Sequence, residues 1–188
     1  SLLKHSIDKR ISLSTRLDPS GPVVEGDRSQ VQNAVLNICL NAQDAIEGNG
    51  TILIETALVD LTADNLADMQ AEAPQGTYVH ISVVDTGRGM DDSTRTRIFE
   101  PFFSTKDPSQ GAGMGLAEVY GTVQSHKGFV HVQSSKGAGS TFEVFLPAVL
   151  RPQSAVDTAE DEIVAAGTGR SLHVLVVDDE DVVRSMAR

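Results

Sequence analysis

The 188-residue sequence has no tryptophan, two tyrosines and one cysteine, and its 15 lysines and arginines are outnumbered by 26 aspartates and glutamates. A lone cysteine, Cys39, excludes an internal disulfide framework and a cysteine-rich zinc site. It lies inside an apolar helical pattern and reads as a buried, inert thiol. The net charge of −11 leaves no basic surface to displace the counterions of a polyanion, so nucleic acid is not an expected partner. No uninterrupted apolar stretch reaches the roughly 20 residues that span a bilayer, and the first residues show no basic-then-apolar leader. The expectation is a soluble, cytoplasmic piece, whose parent protein could still be membrane-attached. With 40% hydrophobic residues, there is material for one core and a small appendage.

Hydrophobic spacing orders the chain. Ile11, Leu13, Thr15 and Leu17 alternate as in a half-buried strand, which Asp18-Pro19-Ser20-Gly21-Pro22 breaks. From Asp27 to Ile46, Val31, Ala34, Val35, Ile38, Ala42, Ala45 and Ile46 recur at three-to-four spacing, and Gly48-Asn49-Gly50 supplies a stop. Strands are predicted near 51–59 and 78–85, separated by a polar stretch with Asp60, Asp64, Asp68 and Glu72 that reads as a solvated insert. A second helix, 115–126, leads through Lys127-Gly128 into strands near 129–134 and 141–146. The class is α/β (α+β): a two-layer sandwich with a mixed sheet covered on one face by helices.

Several polar groups break this pattern in a chemically pointed way. At 3.6 residues per turn Asn33, Asn37, Asn41 and Asp44 fall within roughly 40° of one line, opposite much of the apolar stripe. The apolar run Val83-Val84 ends in Asp85-Thr86-Gly87-Arg88-Gly89-Met90, a carboxylate followed by two glycines. Such a carboxylate can accept a hydrogen bond from an exocyclic amine, and glycines let backbone approach a flat ligand. Gly111-Ala112-Gly113-Met114-Gly115-Leu116 opens the second helix, where free N–H groups and the helix dipole favour phosphate. No βαβ unit precedes this cluster, which removes the dinucleotide fingerprint, and no Gly-Lys-Ser/Thr ending marks a P-loop.

Taken in order, Asn37-Ile38-Cys39-Leu40-Asn41-Ala42, Asp85-x-Gly-x-Gly, Ile98-Phe99-Glu100-Pro101-Phe102-Phe103-Ser104-Thr105-Lys106 and Gly111 to Leu116 form a succession. It resembles the asparagine, first glycine, phenylalanine and second glycine boxes of sensor histidine kinases, within the gyrase, chaperone, kinase and mismatch-repair ATPase superfamily. Gly137-Ala138-Gly139-Ser140-Thr141-Phe142 through Leu146-Pro147 resembles the closing strand of that fold. The resemblance covers nearly all of 1–150 and implies a Bergerat-type fold that binds ATP with Mg2+.

That resemblance also implies residue roles. Asn41 matches the Mg2+ ligand, and Asp85 the adenine-reading carboxylate. Gly87 and Gly89, with Met90, would give the purine room, and Ser140 or Thr141 a hydroxyl near the base. Backbone amides around Gly111, Gly113, Met114, Gly115 and Leu116 would cradle the phosphates. The segment from Phe103 through Thr105 and Lys106 to Gly111 resembles the mobile loop over the nucleotide, with Lys106 reaching the terminal phosphates and Phe99, Phe102 and Phe103 anchoring it. Relatives that hydrolyse ATP carry a water-activating Glu four residues before the Mg2+-binding Asn. Here Asn37 stands in that place, and an amide cannot accept that proton. The resemblance therefore implies transfer to a protein side chain rather than hydrolysis, which assigns Asn37, Asn41 and Lys106 to catalysis. Asp44 departs from the basic residue that many histidine kinases have three positions after that Asn. A carboxylate beside phosphate needs a partner, and Arg88 is the candidate.

The histidine that would accept the phosphoryl group is not among His5, His80, His126, His131 and His173, none of which has the helical His-Glu/Asp context of the family. Residues 1–9 look like the tail of an upstream dimerisation helix. The resemblance thus implies that the partner is an upstream His-containing dimerisation domain, in a parent that is a homodimer. Residues 10–150 form the catalytic domain, and 151–170 an acidic linker. The run Leu172-His173-Val174-Leu175-Val176-Val177 then ends in Asp178-Asp179-Glu180, resembling the start of a response-regulator receiver domain. Asp178 and Asp179 match its Mg2+ pair, in a site left incomplete because 171–188 is too short for a receiver. A hybrid kinase, with its own receiver or a separate response regulator as partner, is the expectation. Two other readings are a nucleotide-binding regulatory module without transfer and a serine kinase or ATPase of the same superfamily.

Overall fold

The computed structural model describes residues 7–106 and 113–149. Five strands form one sheet in the order β1-β2-β3-β5-β4, where β1 is Ile11–Arg16, β2 Gly50–Leu61, β3 Gly76–Asp85, β4 Phe129–Ser134 and β5 Ser140–Pro147. β1 runs parallel to β2, and every other neighbouring pair is antiparallel. The parallel pair requires a crossover, which the long helix α1 (Arg28–Ala45) supplies. Strand alternation sends Ile52 and Ile54 of β2, Val79, Ile81 and Val83 of β3, and Phe142, Val144 and Leu146 of β5 to the helical face. α1 meets them with Val31, Ala34, Ile38, Cys39 and Ala42. Val119 and Val123 of α4 (Gly115–Ser125) complete this core. The mixed sheet with its two long helices, α1 and α4, on one face is the architecture expected from the sequence.

Local signals set the ends of the helices. The Asp27 side chain accepts from the Ser29 N–H at 2.8 Å and the Gln30 N–H at 3.1 Å, which satisfies donors that begin α1. α4 stops where Lys127 takes a left-handed φ of 59° and the Gly128 N–H returns to the Val123 carbonyl at 2.9 Å. β2 is longer than the predicted 51–59. The polar stretch after it is not a solvated insert throughout. It contains α2 (Ala63–Asp68), opened by a capping box between Thr62 and Asn65. Leu66 is buried with Leu61, Tyr78, Phe129 and Phe145 on the sheet face away from α1. Apolar partners distant in sequence hold one side of this segment down, while its acidic residues stay in water. α3 (Asp92–Arg95) is a single turn capped by the Asp91 carboxylate.

β3 lies at the centre of the sheet, and its last residue, Asp85, pairs with Ile52 of β2 and Ser140 of β5. That strand end faces the C-terminal half of α1. The functional site is built in this corner.

Candidate functional site

A cavity of about 410 Å3 opens between α1, the end of β3, the turn 86–91, the segment 103–106, the start of α4 and the β4–β5 turn. Pockets of this size hold nucleotide-sized ligands. Its floor is apolar, from Ala42 and Ala45 of α1, Met90, Ile98, Leu116 and Phe142. Asp85 interrupts this floor. It is 3% exposed, and its Oδ1 accepts from the Gly87 N–H at 2.7 Å and the Ser140 N–H at 3.3 Å. Oδ2 is buried with no hydrogen-bond partner. Burial pushes this carboxyl above the ordinary carboxylate range, while the two backbone donors and the Ser140 hydroxyl pull the other way. An unpaired buried acceptor is costly, so this oxygen calls for a donor from a ligand.

The other side of the cavity is cationic and rich in backbone donors. Met114 caps α4 without any side-chain hydrogen bond, so among the described residues the first-turn N–H groups behind Gly115 have no side-chain partner. The Asn41 amide nitrogen donates to the Asn37 carbonyl at 2.8 Å, which turns its Oδ1 toward Lys106 Nζ at 3.4 Å. Lys106 Nζ also reaches Asp44 Oδ2 at 2.5 Å. Arg88 and Lys136 add two further cations to the wall. An acceptor buried in an apolar floor on one side, with cations and free N–H groups on the other, suits a ligand with a flat amine-bearing ring and an anionic tail.

Most of the expected site residues meet in this wall: Asn41, Asp85, Gly89, Met90, Thr105, Lys106, Gly113, Met114, Gly115, Leu116 and Ser140. Gly111, Asp178 and Asp179 lie outside the described residues. Besides Asp44, which is not among the residues of the wall, three positions differ from expectation. Asn37 stands beside the cavity, its amide donating to the Gly115 carbonyl at 3.5 Å and Glu118 Oε2 at 3.3 Å, and so bridges α1 to α4. Thr141 follows Ser140 on β5 and therefore projects to the opposite face of the sheet. Gly87 makes room for protein: a Cβ there would lie 2.7 Å from the Ala45 carbonyl oxygen. Gly89, at φ 63°, lines the cavity, yet its Cβ would fall 2.0 Å from the Ser135 carbonyl oxygen. Both glycines let the turn pack on neighbouring backbone.

Two pairings also change. Asp44 makes its ion pair with Lys106, and among the described residues Arg88 makes none with Asp44. Distance along the sequence hid this, because Lys106 lies 62 positions from Asp44. Of the three phenylalanines, Phe99 packs on the core and tilts against Tyr120 at 5.5 Å, and Phe103 lines the cavity beneath the Arg97 guanidinium. The Phe102 side chain is 75% exposed at φ 65°, and its backbone N–H donates to the Gly113 carbonyl at 3.1 Å.

The family model described as histidine kinase-, DNA gyrase B- and HSP90-like ATPase matches residues 26–150. The chain belongs to this family. Sensor kinase CckA of Brucella abortus is 36% identical over 166 residues, which are 86% of this chain and 18% of CckA. The chain thus spans less than a fifth of the length of that relative. Among solved structures, the catalytic domain of histidine kinase ThkA aligns with a TM-score of 0.60 at 26% identity, covering 78% of this chain and 85% of that one. Full-length ShkA in complex with AMPPNP aligns with a TM-score of 0.61 at 25% identity, covering 80% of this chain and 29% of ShkA.

Membership of the family explains the four boxes, yet the wall holds residues that those boxes do not single out. Phe142 shares a β5 face with Ser140, a placement that strand alternation makes readable. Lys136 and Asp91 also line it from turns, and Thr94 from the single-turn α3, none of which carries a periodic signal. No histidine among the described residues lies in the wall. His126 is held by the Thr122 carbonyl at Nδ1 and by the Asp27 N–H at Nε2, and His80 and His131 sit in β3 and β4. His5 and His173 fall outside the described residues. No helix among the described residues is long and apolar enough to cross a membrane.

Proposed function

We propose that the cavity binds ATP together with Mg2+, and that the chain is the catalytic ATP-binding unit of a sensor histidine kinase acting in two-component signalling. The observation that carries this reading is the unpaired Asp85 Oδ2 in an apolar floor, opposite the α4 N-terminus and Lys106. Adenine offers an exocyclic amine to that oxygen, and a guanine carbonyl in the same place would set acceptor against acceptor. Ser140 supports the reader: its N–H bonds Asp85 and its hydroxyl meets Ser134 Oγ at 3.0 Å. The triphosphate then extends toward α4, where backbone N–H groups and Lys106 receive its charge.

The residues present fit a divalent cation. Asn41 presents a hard amide oxygen to the cavity, already occupied by a cationic ammonium. When bound with the nucleotide, Mg2+ supplies neutralisation of phosphate charge. The chain's own part is to read the base with Asp85, hold the phosphates at α4, and keep Asn37 in the place of a proton-accepting carboxylate. The acceptor belongs to a helical His-containing dimerisation domain of a homodimeric parent. Its imidazole nitrogen forms the N–P bond as the bond from γ-phosphorus to ADP breaks. A response regulator, or a receiver domain opened by Leu172 to Glu180 with Asp178 and Asp179 as its Mg2+ pair, takes the phosphoryl group next. The parent is read as a hybrid kinase that presents this domain to the cytoplasm, with or without a membrane anchor.

The test mixes the chain with ATP, Mg2+ and the parent's His-bearing helical domain. Acid-labile phosphohistidine should form on that domain and be lost with Asn41→Ala, while the chain alone stays unlabelled. Nucleotide binding without transfer would leave a regulatory nucleotide-binding module in place of a kinase.

A further inference from the structure

We propose that Asp44 is the positioning residue of Lys106, holding its ammonium on the Asn41 oxygen of the nucleotide-free chain so that Lys106 and a divalent cation exchange places there. The inference rests on reading the cavity as a Mg2+–nucleotide site. Lys106 Nζ lies 2.5 Å from Asp44 Oδ2 and 3.4 Å from Asn41 Oδ1. Asn41 and Asp44 are three residues apart on α1, hence on one helix face. The Asn41 amide is fixed by its bond to the Asn37 carbonyl, so Oδ1 is its one oxygen free for a cation, and a cation already rests there. The Lys106 side chain is 23% exposed, although Ser104 and Thr105 before it are exposed. Asp44, at 45%, has no other ion-pair partner among the described residues.

This arrangement gives Asp44 a function that a plain phosphate contact does not have. Its carboxylate beside a polyphosphate is repulsive unless a cation pairs with it. Metal-free nucleotide gains Lys106 only by stripping Asp44 of its partner, which leaves two negative groups facing each other. A cation on Asn41 Oδ1 gives Asp44 a new neighbour and releases Lys106 to the phosphates. Asp44 thereby couples the presence of metal to the availability of Lys106, and the site favours nucleotide that arrives with its cation.

Two measurements on the full chain test this. Without nucleotide or metal, acetylation of Lys106 by an amine-reactive ester, read by mass spectrometry, should run about threefold or more below exposed Lys9 and Lys127. Asp44→Asn should bring it to their rate, and Asp44→Glu should restore most of the protection. Next, the affinity of a fluorescent ATP analogue is measured with and without Mg2+. Asp44→Asn should tighten metal-free binding by about threefold to tenfold while changing metal-bound affinity less, so the dependence on metal shrinks. Unchanged Lys106 reactivity in Asp44→Asn, or an unchanged ratio of the two affinities, overturns the proposal. If the unaltered chain binds no nucleotide, the nucleotide reading falls and the exchange with it. The labelling, which needs no nucleotide, tells that failure apart from a failure of Asp44 to hold Lys106.

Discussion

Asp85 pays for its position in stability. Its carboxyl is raised by burial, so folding disfavours the ionised form, and stability grows as pH falls through the raised value. At pH 7 the cost is present. Asp85→Asn keeps an oxygen for the Gly87 and Ser140 N–H groups and removes the charge. The expected outcome is a melting temperature at pH 7 no lower than that of the unaltered chain, with ATP affinity reduced about tenfold to a hundredfold in calorimetric titration. A second residue-scale prediction concerns Asn37, which the family resemblance places where hydrolysing relatives carry a water-activating Glu. Asn37→Glu should raise steady-state phosphate release from ATP, and an unchanged rate counts against the assignment. The sequence makes Asp85 readable because it ends an apolar run next to glycines. It does not make Gly87 readable in the right sense, since the atom that excludes a side chain there is the Ala45 carbonyl oxygen, from another element.

Between elements, the sheet face away from α1 carries a pH-dependent contact. His80 Nε2 of β3 lies 3.1 Å from Glu143 Oε1 of β5, and His131 of β4 stands in register with Glu143. The His80 imidazole holds the Glu143 carboxyl below the ordinary carboxylate range, against the opposing effect of burial. A depressed carboxylate contributes stability above its unfolded value of about 4.3, which is lost as pH falls through the folded value. His80→Gln should therefore lower urea stability at pH 6 by roughly 0.5–1 kcal/mol, and this part of the loss should vanish in acid. A deficit that stays constant from pH 6 to pH 3 would assign the effect to the lost stacking of His80 on Phe145 instead. The helices and strands that bury a long periodic face are legible in the sequence, as α1 illustrates. α2 is not, because its single buried apolar residue, Leu66, gives no period, and its partners Tyr78, Phe129 and Phe145 come from other strands.

At the scale of the whole molecule, stability rests on the layer between α1, α4 and the sheet, where Ile38, Ile52 and Val119 are 0% exposed. Ile38→Ala should cost about 2–5 kcal/mol in urea unfolding, the range for emptying a packed aliphatic site. Because Ile38 is not among the residues that line the cavity, nucleotide affinity of the variant that remains folded should stay close to that of the unaltered chain. The order of the motifs made the family legible before any contact was known, whereas the Asp44–Lys106 pair needed the fold to bring α1 and the segment before α4 together. The pairing of Asp85 with Ser140 bears on how the chain folds. β3 and β5 join across more than fifty residues, so the ring of contacts around Asp85 closes only when the most distant part of the sheet has docked. A ligand filling the cavity needs that pairing in place, so it adds its stabilisation to the native state and withholds it from states in which the β3–β5 seam is open, slowing the opening of that seam.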